Sequence, residues 1–563
     1  MHEPAKLNSN NIAEYLPISA AKSPFKKAII EPVGIDDNGL VKYVHYTFKQ
    51  LEERCSKIAH GLHNYGIQKG HKVLLMVTPS LDFLALTYAL YRVGAIPVLI
   101  DPGMGKSNLL DCIEGVQPDA MVAIPKAHLV KLLFPSKFKS VKHSVIVGKK
   151  YIFSGKTLNE LCDHSNNEPF EVVKVDPLDM ATMVFTTGST GTPKGVVYFH
   201  KQMQGQVNAI AEEFSIGPED IDFPVFPLFA LFSTAWGITA VIPEMDPTKP
   251  SKADPLKIIA GIEDHGVTMS IGSPALWEVI GTYAEKKNIK LNSLKQILMV
   301  GAPVRPEVLR SLQSMLDLES GHDAFTPYGA TESLPVANIS ATEILNQTFQ
   351  KTHEGHGTCI GRAFPGMEIQ IIEISDDCIS NIADSSLLKA NEIGEIIVKG
   401  TVVTKEYFNN DKATSLAKIA DGESIWHRMG DVGYKDDQGR LWFCGRKAHR
   451  VDTETQRLFS VCTEAIFNQH SDIYRSALVG VERKGSVHSV MIVQPIEGKF
   501  PQSEQSKDLL RNELFSLATQ YDHTKNISNI LFHEDFPVDI RHNAKIFREK
   551  LSVWAADQLQ GQL

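Results

Sequence analysis

The chain has 563 residues, 57 basic and 66 acidic side chains, a formal charge of −9 at pH 7 and 43% hydrophobic residues. That length allows three or four structural units with large cores, and the mild, dispersed acidity excludes a nucleic-acid surface as the main partner. Seven cysteines, an odd number with no CxxC pair or Cys/His cluster, exclude a disulfide framework and a zinc site and read as mostly buried thiols of a reducing cytosol.

The N-terminus, MHEPAKLNSNN, is polar and has no signal-peptide core. Thr47 and Gln50 form a capping-box pattern ahead of a helix whose apolar stripe is Leu51, Cys55, Ile58, Ala59 and Leu62. Lys72 to Val77 reads as a strand, Leu81 to Val93 as a helix and Ala95 to Ile100 as a strand. This unit implies parallel pairing in an α/β layer, extended by strands at Met121 to Ile124 and Ser144 to Val147. Val73 to Ile100 is the most apolar stretch, but Pro79, Ser80, Asp82 and Arg92 interrupt it, short of the ~20 apolar residues a membrane span needs.

Next comes Thr186-Thr187-Gly188-Ser189-Thr190-Gly191-Thr192-Pro193-Lys194-Gly195, between apolar strands at Ala181 to Phe185 and Val196 to Phe199. Its glycines let backbone approach an anion, its hydroxyls and amides can donate to phosphate oxygens, and Lys194 adds charge. A Walker A loop would run Gly-Lys-Ser/Thr into a helix; here Lys194 leads into a β-branched run. His200 to Phe214 has helical spacing. Phe223 to Phe232 is too proline-rich for one regular element. Leu298 to Val300 is a strand ending in Gly301-Ala302-Pro303, and a helix follows from Pro306. Tyr328-Gly329-Ala330-Thr331-Glu332 comes next, then an alternating strand from Gly394 to Gly400, Met429-Gly430-Asp431, and a strand at Leu441 to Cys444. Gly445-Arg446-Lys447 marks the best domain boundary. The last ~115 residues read as a small α/β domain, with helices at Thr463 to Gln469 and Ser506 to Ala518 and strands at Ser476 to Val481 and Ser489 to Val493.

These motifs, in this order from Tyr46 to Arg548, resemble the AMP-forming adenylating enzymes: acyl-CoA synthetases, luciferases and the adenylation domains of peptide synthetases. The resemblance implies an α/β fold with a large N-terminal domain of layered subdomains (1–445), a hinge (446–450) and a small mobile C-terminal lid (451–563). It implies a cytoplasmic ligase that uses ATP and Mg²⁺. Thr186, Thr187, Gly188, Ser189, Thr190, Gly191, Thr192 and Lys194 would grip the phosphates. Gly301, Ala302, Pro303, Tyr328 and Gly329 would hold adenine, and Asp431 and Arg446 the ribose. Thr331 would bond the α-phosphate and Glu332 would hold Mg²⁺. Lys545, followed by Ile-Phe-Arg, matches the family's catalytic C-terminal lysine. Phe229, Leu231, Trp236 and His200 are candidates for the acyl pocket, although core packing is the plain alternative for each.

The chain departs from the common pattern where a thiol acceptor would be handled. Ala448 stands at the usual hinge Asp or Lys, no glycine occurs between Arg446 and Asn468, Ala230 replaces a common histidine, and Asn543-Ala544 replaces Ser-Gly. The segments Gly445 to Val451, Leu458 to His470, Tyr474 to Val481 and Val538 to Arg548 resemble one branch, the OleC-type β-lactone synthetases of bacterial long-chain olefin biosynthesis. That resemblance implies adenylation of a long-chain 2-alkyl-3-hydroxy fatty acid. The acid's own hydroxyl would then close a β-lactone, with other olefin-pathway enzymes as partners. A fatty acyl-CoA or fatty acyl-AMP ligase is the alternative, with CoA then the acceptor in the first case.

Overall fold

The computed structural model describes residues 10–163, 168–187, 193–226, 228–538 and 546–559. It is a mixed α/β protein with a large N-terminal domain and a smaller C-terminal one, as expected. Two seven-stranded sheets form the body. The first runs Asp323–Phe325, Gln296–Met299, Met269–Gly272, Ile221–Asp222, Thr239–Val241, Lys27–Ile35, Val41–Thr47. The second runs Lys156–Thr157, His143–Ile146, Ala120–Ala123, Lys72–Met76, Ile96–Leu99, Met180–Thr187, Pro193–Phe199. Each is parallel except for one antiparallel edge strand.

Between the sheets, helices bury their apolar faces on both. Phe48–Asn64 begins with the expected capping box, and its stripe Leu51, Cys55, Ile58, Ala59 and Leu62 is fully buried. Leu81–Arg92 is apolar on every side because it lies in the middle of this layer. Its one interior charge, Arg92, donates 2.7 Å hydrogen bonds to Glu52 and Ser56. No described helix is long and apolar enough to cross a membrane. A third, antiparallel sheet of eight strands contains Tyr328–Ala330, Ser333–Asn338, Ser424–Lys435 and Leu441–Arg446, and its Val336, Ile396 and Val398 join the same continuous core as Ile29 and Leu75.

The C-terminal domain has cores of its own. Its strands Ile473–Arg483, Ser486–Pro495 and Asn529–Phe532 alternate Leu478 and Met491 toward the helix Glu504–Ala518. Val479 and Ile492 face the other way, toward Arg548–Gln558. Separate cores let such a unit move as a body.

Observed boundaries shift by a few residues from those read in the sequence. Pro193 and Lys194, expected within the loop, belong to the strand Pro193–Phe199, where Lys194 pairs with Thr186. The proline-rich stretch is indeed not one element. It leaves a strand at Asp222 and forms a helix only at Phe229–Trp236. The seven cysteines are free, five of them buried.

Candidate active site

In the first sheet, parallel strands end side by side, so the segments after Asp222, Gly272, Met299 and Phe325 gather at one edge. This is where open α/β sheets place ligands. The register Leu298↔Phe325 brings Gly301-Ala302-Pro303 out beside the approach to Tyr328, with Gly301 at φ +98°. Tyr328–Ala330 then folds back on Ser333–Asn338, pairing Ala330 with Ser333. Thr331 and Glu332 are therefore the two residues at the tip of a tight hairpin. Gly329 permits it: a Cβ there would stand 2.7 Å from the Ser333 carbonyl oxygen.

Two segments far from it in sequence fix this tip, one at Tyr198 and one at Thr404 to Tyr407. The Tyr198 hydroxyl donates to the Thr331 carbonyl. The Tyr407 hydroxyl donates to Glu332 Oε1 at 2.6 Å. Thr404 donates its backbone N–H and its hydroxyl to the Glu332 carbonyl at 2.9 and 3.0 Å. Lys194 Nζ lies 5.2 Å from the Tyr407 ring centroid, and Phe408 N–H donates to the Gly195 carbonyl. The exit of the Thr/Gly loop and the Thr331-Glu332 tip thus flank one tyrosine.

Asp431 and Arg446 sit opposite each other on adjacent antiparallel strands. Asp431 Oδ2 accepts from Tyr328 Oη, and Arg446 Nη1 stands 2.8 Å from Oδ1. That second approach is ion-pair close but not aligned as a hydrogen bond, so among the described residues the buried Oδ1 has no donor. Burial pushes the carboxyl's pKa up, opposed chiefly by Arg446. A buried acceptor of this kind suits ribose hydroxyls.

Of the residues expected to hold nucleotide, Gly301, Ala302, Pro303, Tyr328, Gly329, Thr331, Glu332, Asp431, Arg446, Thr186 and Lys194 are described. Only the backbone of Thr187 is. Gly188, Ser189, Thr190, Gly191, Thr192 and the catalytic candidate Lys545 lie outside the described residues. The segments flanking Lys545 are tied together: Val538 bridges Ile546, and Phe547 N–H donates to the Pro537 carbonyl at 2.9 Å. Arg548 donates to both carboxylate oxygens of Glu464, in the first α-helix of the C-terminal domain, at 2.7 and 2.8 Å.

The acyl candidates separate. Phe226, Phe229, Phe232 and Trp236 form an aromatic stripe with successive centroids 5.9 Å apart, and Phe229 and Trp236 are only half-buried. Leu231 faces away from it into the core, 2% exposed. His200 opens the helix His200–Glu213 at the end of its strand remote from the Thr/Gly loop. It is buried edge-on to Tyr91, and burial lowers its pKa to about 4, so it is a neutral core histidine. A cavity of about 520 Å³ lies elsewhere, lined by His356 and Tyr434 of the N-terminal domain and Phe459 and His523 of the C-terminal domain.

Tyr198, Thr404 and Tyr407 were not singled out from the sequence. Nothing in the spacing links Tyr407 to Glu332, 75 residues earlier. Among the described residues no group of three or more His, Cys, Asp or Glu could hold a metal. Glu332 alone still fits Mg²⁺, which takes one or two carboxylates and completes its shell with substrate phosphates and water.

The profile of a family described as AMP-binding enzyme matches residues 17–408. A Xanthomonas campestris protein named olefin beta-lactone synthetase is 42% identical over 554 residues, covering 97% of this chain and 98% of that one. A Stenotrophomonas maltophilia protein of the same name is 40% identical, covering 98% and 99%. Among solved structures, the amide bond synthetase McbA from Marinactinospora thermotolerans superposes with a TM-score of 0.76 at 20% identity, over 97% and 99% of the two chains. ATP-bound MatB from Rhodopseudomonas palustris gives 0.76 at 19%, over 98% and 99%. These last two speak to the fold.

Proposed function

The chain belongs to the AMP-binding enzyme family, and from that premise we propose that it adenylates a long-chain 2-alkyl-3-hydroxy fatty acid and converts the adenylate to a β-lactone. The observation that carries this reading is full-length identity of 40–42% to two olefin beta-lactone synthetases, joined to a nucleotide-shaped edge at Tyr328, Asp431 and Glu332.

In the first step a carboxylate oxygen attacks the α-phosphorus of ATP, and the bond to pyrophosphate breaks. Asp431 and Arg446 hold the ribose, Tyr328 and Gly301-Ala302-Pro303 hold adenine, and Thr331 donates to the α-phosphate. Lys194 and Lys545 meet the charge that builds on the phosphate oxygens. Mg²⁺, held by Glu332, would supply neutralising charge on the phosphates. In the second step the 3-hydroxyl oxygen attacks the acyl carbon, the bond to AMP breaks, and the hydroxyl proton leaves with the phosphate. No external thiol is needed. Placing the hydroxyl beside its own acyl carbon supplies up to ~7–11 kcal/mol toward a strained ring. The hinge is assigned to 446–450, with residues 451–563 as the lid.

The test is incubation with ATP, Mg²⁺ and a long-chain 2-alkyl-3-hydroxy acid, with and without CoA, read by mass spectrometry. The expected product is the acid less one water, with AMP and pyrophosphate, independent of CoA. A thioester formed only with CoA, or an acyl-AMP that accumulates, overturns the lactone reading.

A further inference from the structure

Among the described residues near this site, Lys418 is a buried charge that neither the fold nor the nucleotide roles proposed above explain. It opens the strand Lys418–Asp421, directly opposite His427, and is 9% exposed. Its ammonium donates to the Thr404 carbonyl and, at 3.3 Å, to the Thr404 hydroxyl. It forms no ion pair among the described residues. Burying an ammonium among neutral oxygens costs several kcal/mol, and an aliphatic residue would fill a strand start without that cost.

The amine is instead the far end of a chain of contacts that reaches Glu332. Lys418 donates to the Thr404 hydroxyl, and that hydroxyl donates to the Glu332 carbonyl; the Thr404 N–H donates to the same oxygen. A hydroxyl that accepts from a cation becomes a stronger donor, so the ammonium tightens the bond on the hairpin tip. The surrounding charges give it one anion to face. Glu332 raises the Lys418 pKa while burial lowers it further, to about 7. His427 across the strand is kept neutral by burial, with Lys418 and Lys194 adding to the effect. Tyr407, bonded to Glu332 Oε1, completes the ring around the carboxylate.

We propose that Lys418 is a positioning residue: acting through Thr404, it fixes the Thr331-Glu332 tip and places a counter-charge behind the carboxylate, so that both residues face the nucleotide phosphates. This rests on the assignment of Glu332 given above. An unanchored tip would still bind adenine and ribose, but Thr331 and Glu332 would be out of line with the reacting phosphorus.

The experiment compares Lys418→Met and Lys418→Gln in the full chain by three readouts: thermal midpoint, amide hydrogen exchange over 328–338, and ATP–pyrophosphate exchange kinetics. Methionine keeps the length and loses the donor; glutamine can still donate to Thr404. The expected result for Lys418→Met is an unchanged or higher midpoint, faster exchange over 328–338, and a ~10–100-fold lower kcat, the loss typical for a residue that orients a ligand. The KM for ATP should stay near wild type, and Lys418→Gln should recover part of both losses. Wild-type exchange and kcat in Lys418→Met would overturn the proposal, as would a lowered midpoint with Lys418→Gln no better than Lys418→Met. Glu332→Gln is measured alongside. If that variant turns over normally, the role given to Glu332 has failed, while hydrogen exchange still reports whether Lys418 holds the tip.

Discussion

The hydroxyl of Tyr328 donates to the carboxylate of Asp431, 103 residues further along the chain. The residue expected to stack on adenine and the residue expected to bind ribose are therefore one hydrogen-bonded unit. Tyr328→Phe keeps the ring face and removes the donor, leaving Oδ2 of a 2%-exposed carboxylate without its partner. An unsatisfied buried acceptor costs ~1–3 kcal/mol. The expected outcome is a raised KM for ATP, ~10-fold or more, with kcat less affected, in pyrophosphate-exchange kinetics. Equal KM values in the two proteins would mean that Asp431 does not meet the nucleotide.

Asp222 offers a test by pH alone. It is fully buried at the carboxyl end of the first sheet's central strand, Oδ2 accepts from Ser233 Oγ at 2.5 Å, and burial raises its pKa to about 7. Between the ordinary carboxylate value and 7 the folded state holds the extra proton, so its stabilising contribution is present at low pH and lost as pH rises to 7. Above 7 the fold carries a buried carboxylate at a cost of up to ~4 kcal/mol. Asp222→Asn should therefore be more stable than wild type at pH 8, by denaturant titration, and indistinguishable from it near pH 4. A constant difference across that range would exclude titration of Asp222 as the cause.

The sequence disclosed the parts of this site that are contiguous. Tyr328 to Glu332 is legible because a hairpin tip needs Gly329 and because its residues lie next to one another. The helix at Thr47 is legible because a capping box acts over three residues. Tyr407 and Lys418 were silent because their work depends on how the irregular segment holding Thr404 and Tyr407 packs between the Thr331-Glu332 hairpin and the strand opened by Lys418, which no local pattern reveals. Neither glutamine of the helix His200–Glu213 that pins this region, Gln202 to the Val403 carbonyl and Gln206 to that of Leu334, carries a local signal either. His200 illustrates the converse: its position just after the strand that leaves the Thr/Gly loop suggests function, but that strand carries it away from the loop into the core, where packing is the plainer reading.

The half-buried aromatic stripe and the enclosed Leu231 allow substrate contact and packing to be told apart by mutation. Phe229 is half-buried beside Phe226 and Phe232, whereas Leu231 is enclosed. Phe229→Ala should fold normally and weaken discrimination between acids of different chain length, a contrast worth ~0.8 kcal/mol per buried methylene in the wild type. Leu231→Ala should instead lower stability by ~2–5 kcal/mol through a cavity, with chain-length preference retained in whatever folds. Competition between a C10 and a C18 hydroxy acid, paired with thermal melts, distinguishes the two effects. If Phe229→Ala keeps the wild-type preference, the stripe is core and the acyl chain lies elsewhere.

The C-terminal domain, assigned above as the lid, supplies the last contrast. Glu464 is buried and accepts the Arg548 fork as well as the Leu478 N–H at 2.9 Å. Arg548 lies three residues after Lys545 in sequence and ties the chain there to Ser460–Phe467, the first α-helix of the C-terminal domain. Arg548→Met removes the cation and strands a buried carboxylate, a loss of ~3–5 kcal/mol when one partner of such a pair is deleted. It should lower the lid's melting temperature and slow adenylation together. Lys545→Ala removes a charge without touching that anchor. Its lid should melt as in wild type and ATP should bind with near-normal affinity, yet turnover should be nearly abolished, because only the transferring phosphoryl group needs that cation. Calorimetric ATP binding and single-turnover pyrophosphate release read the two variants. Normal turnover in Lys545→Ala would move the catalytic charge to another residue.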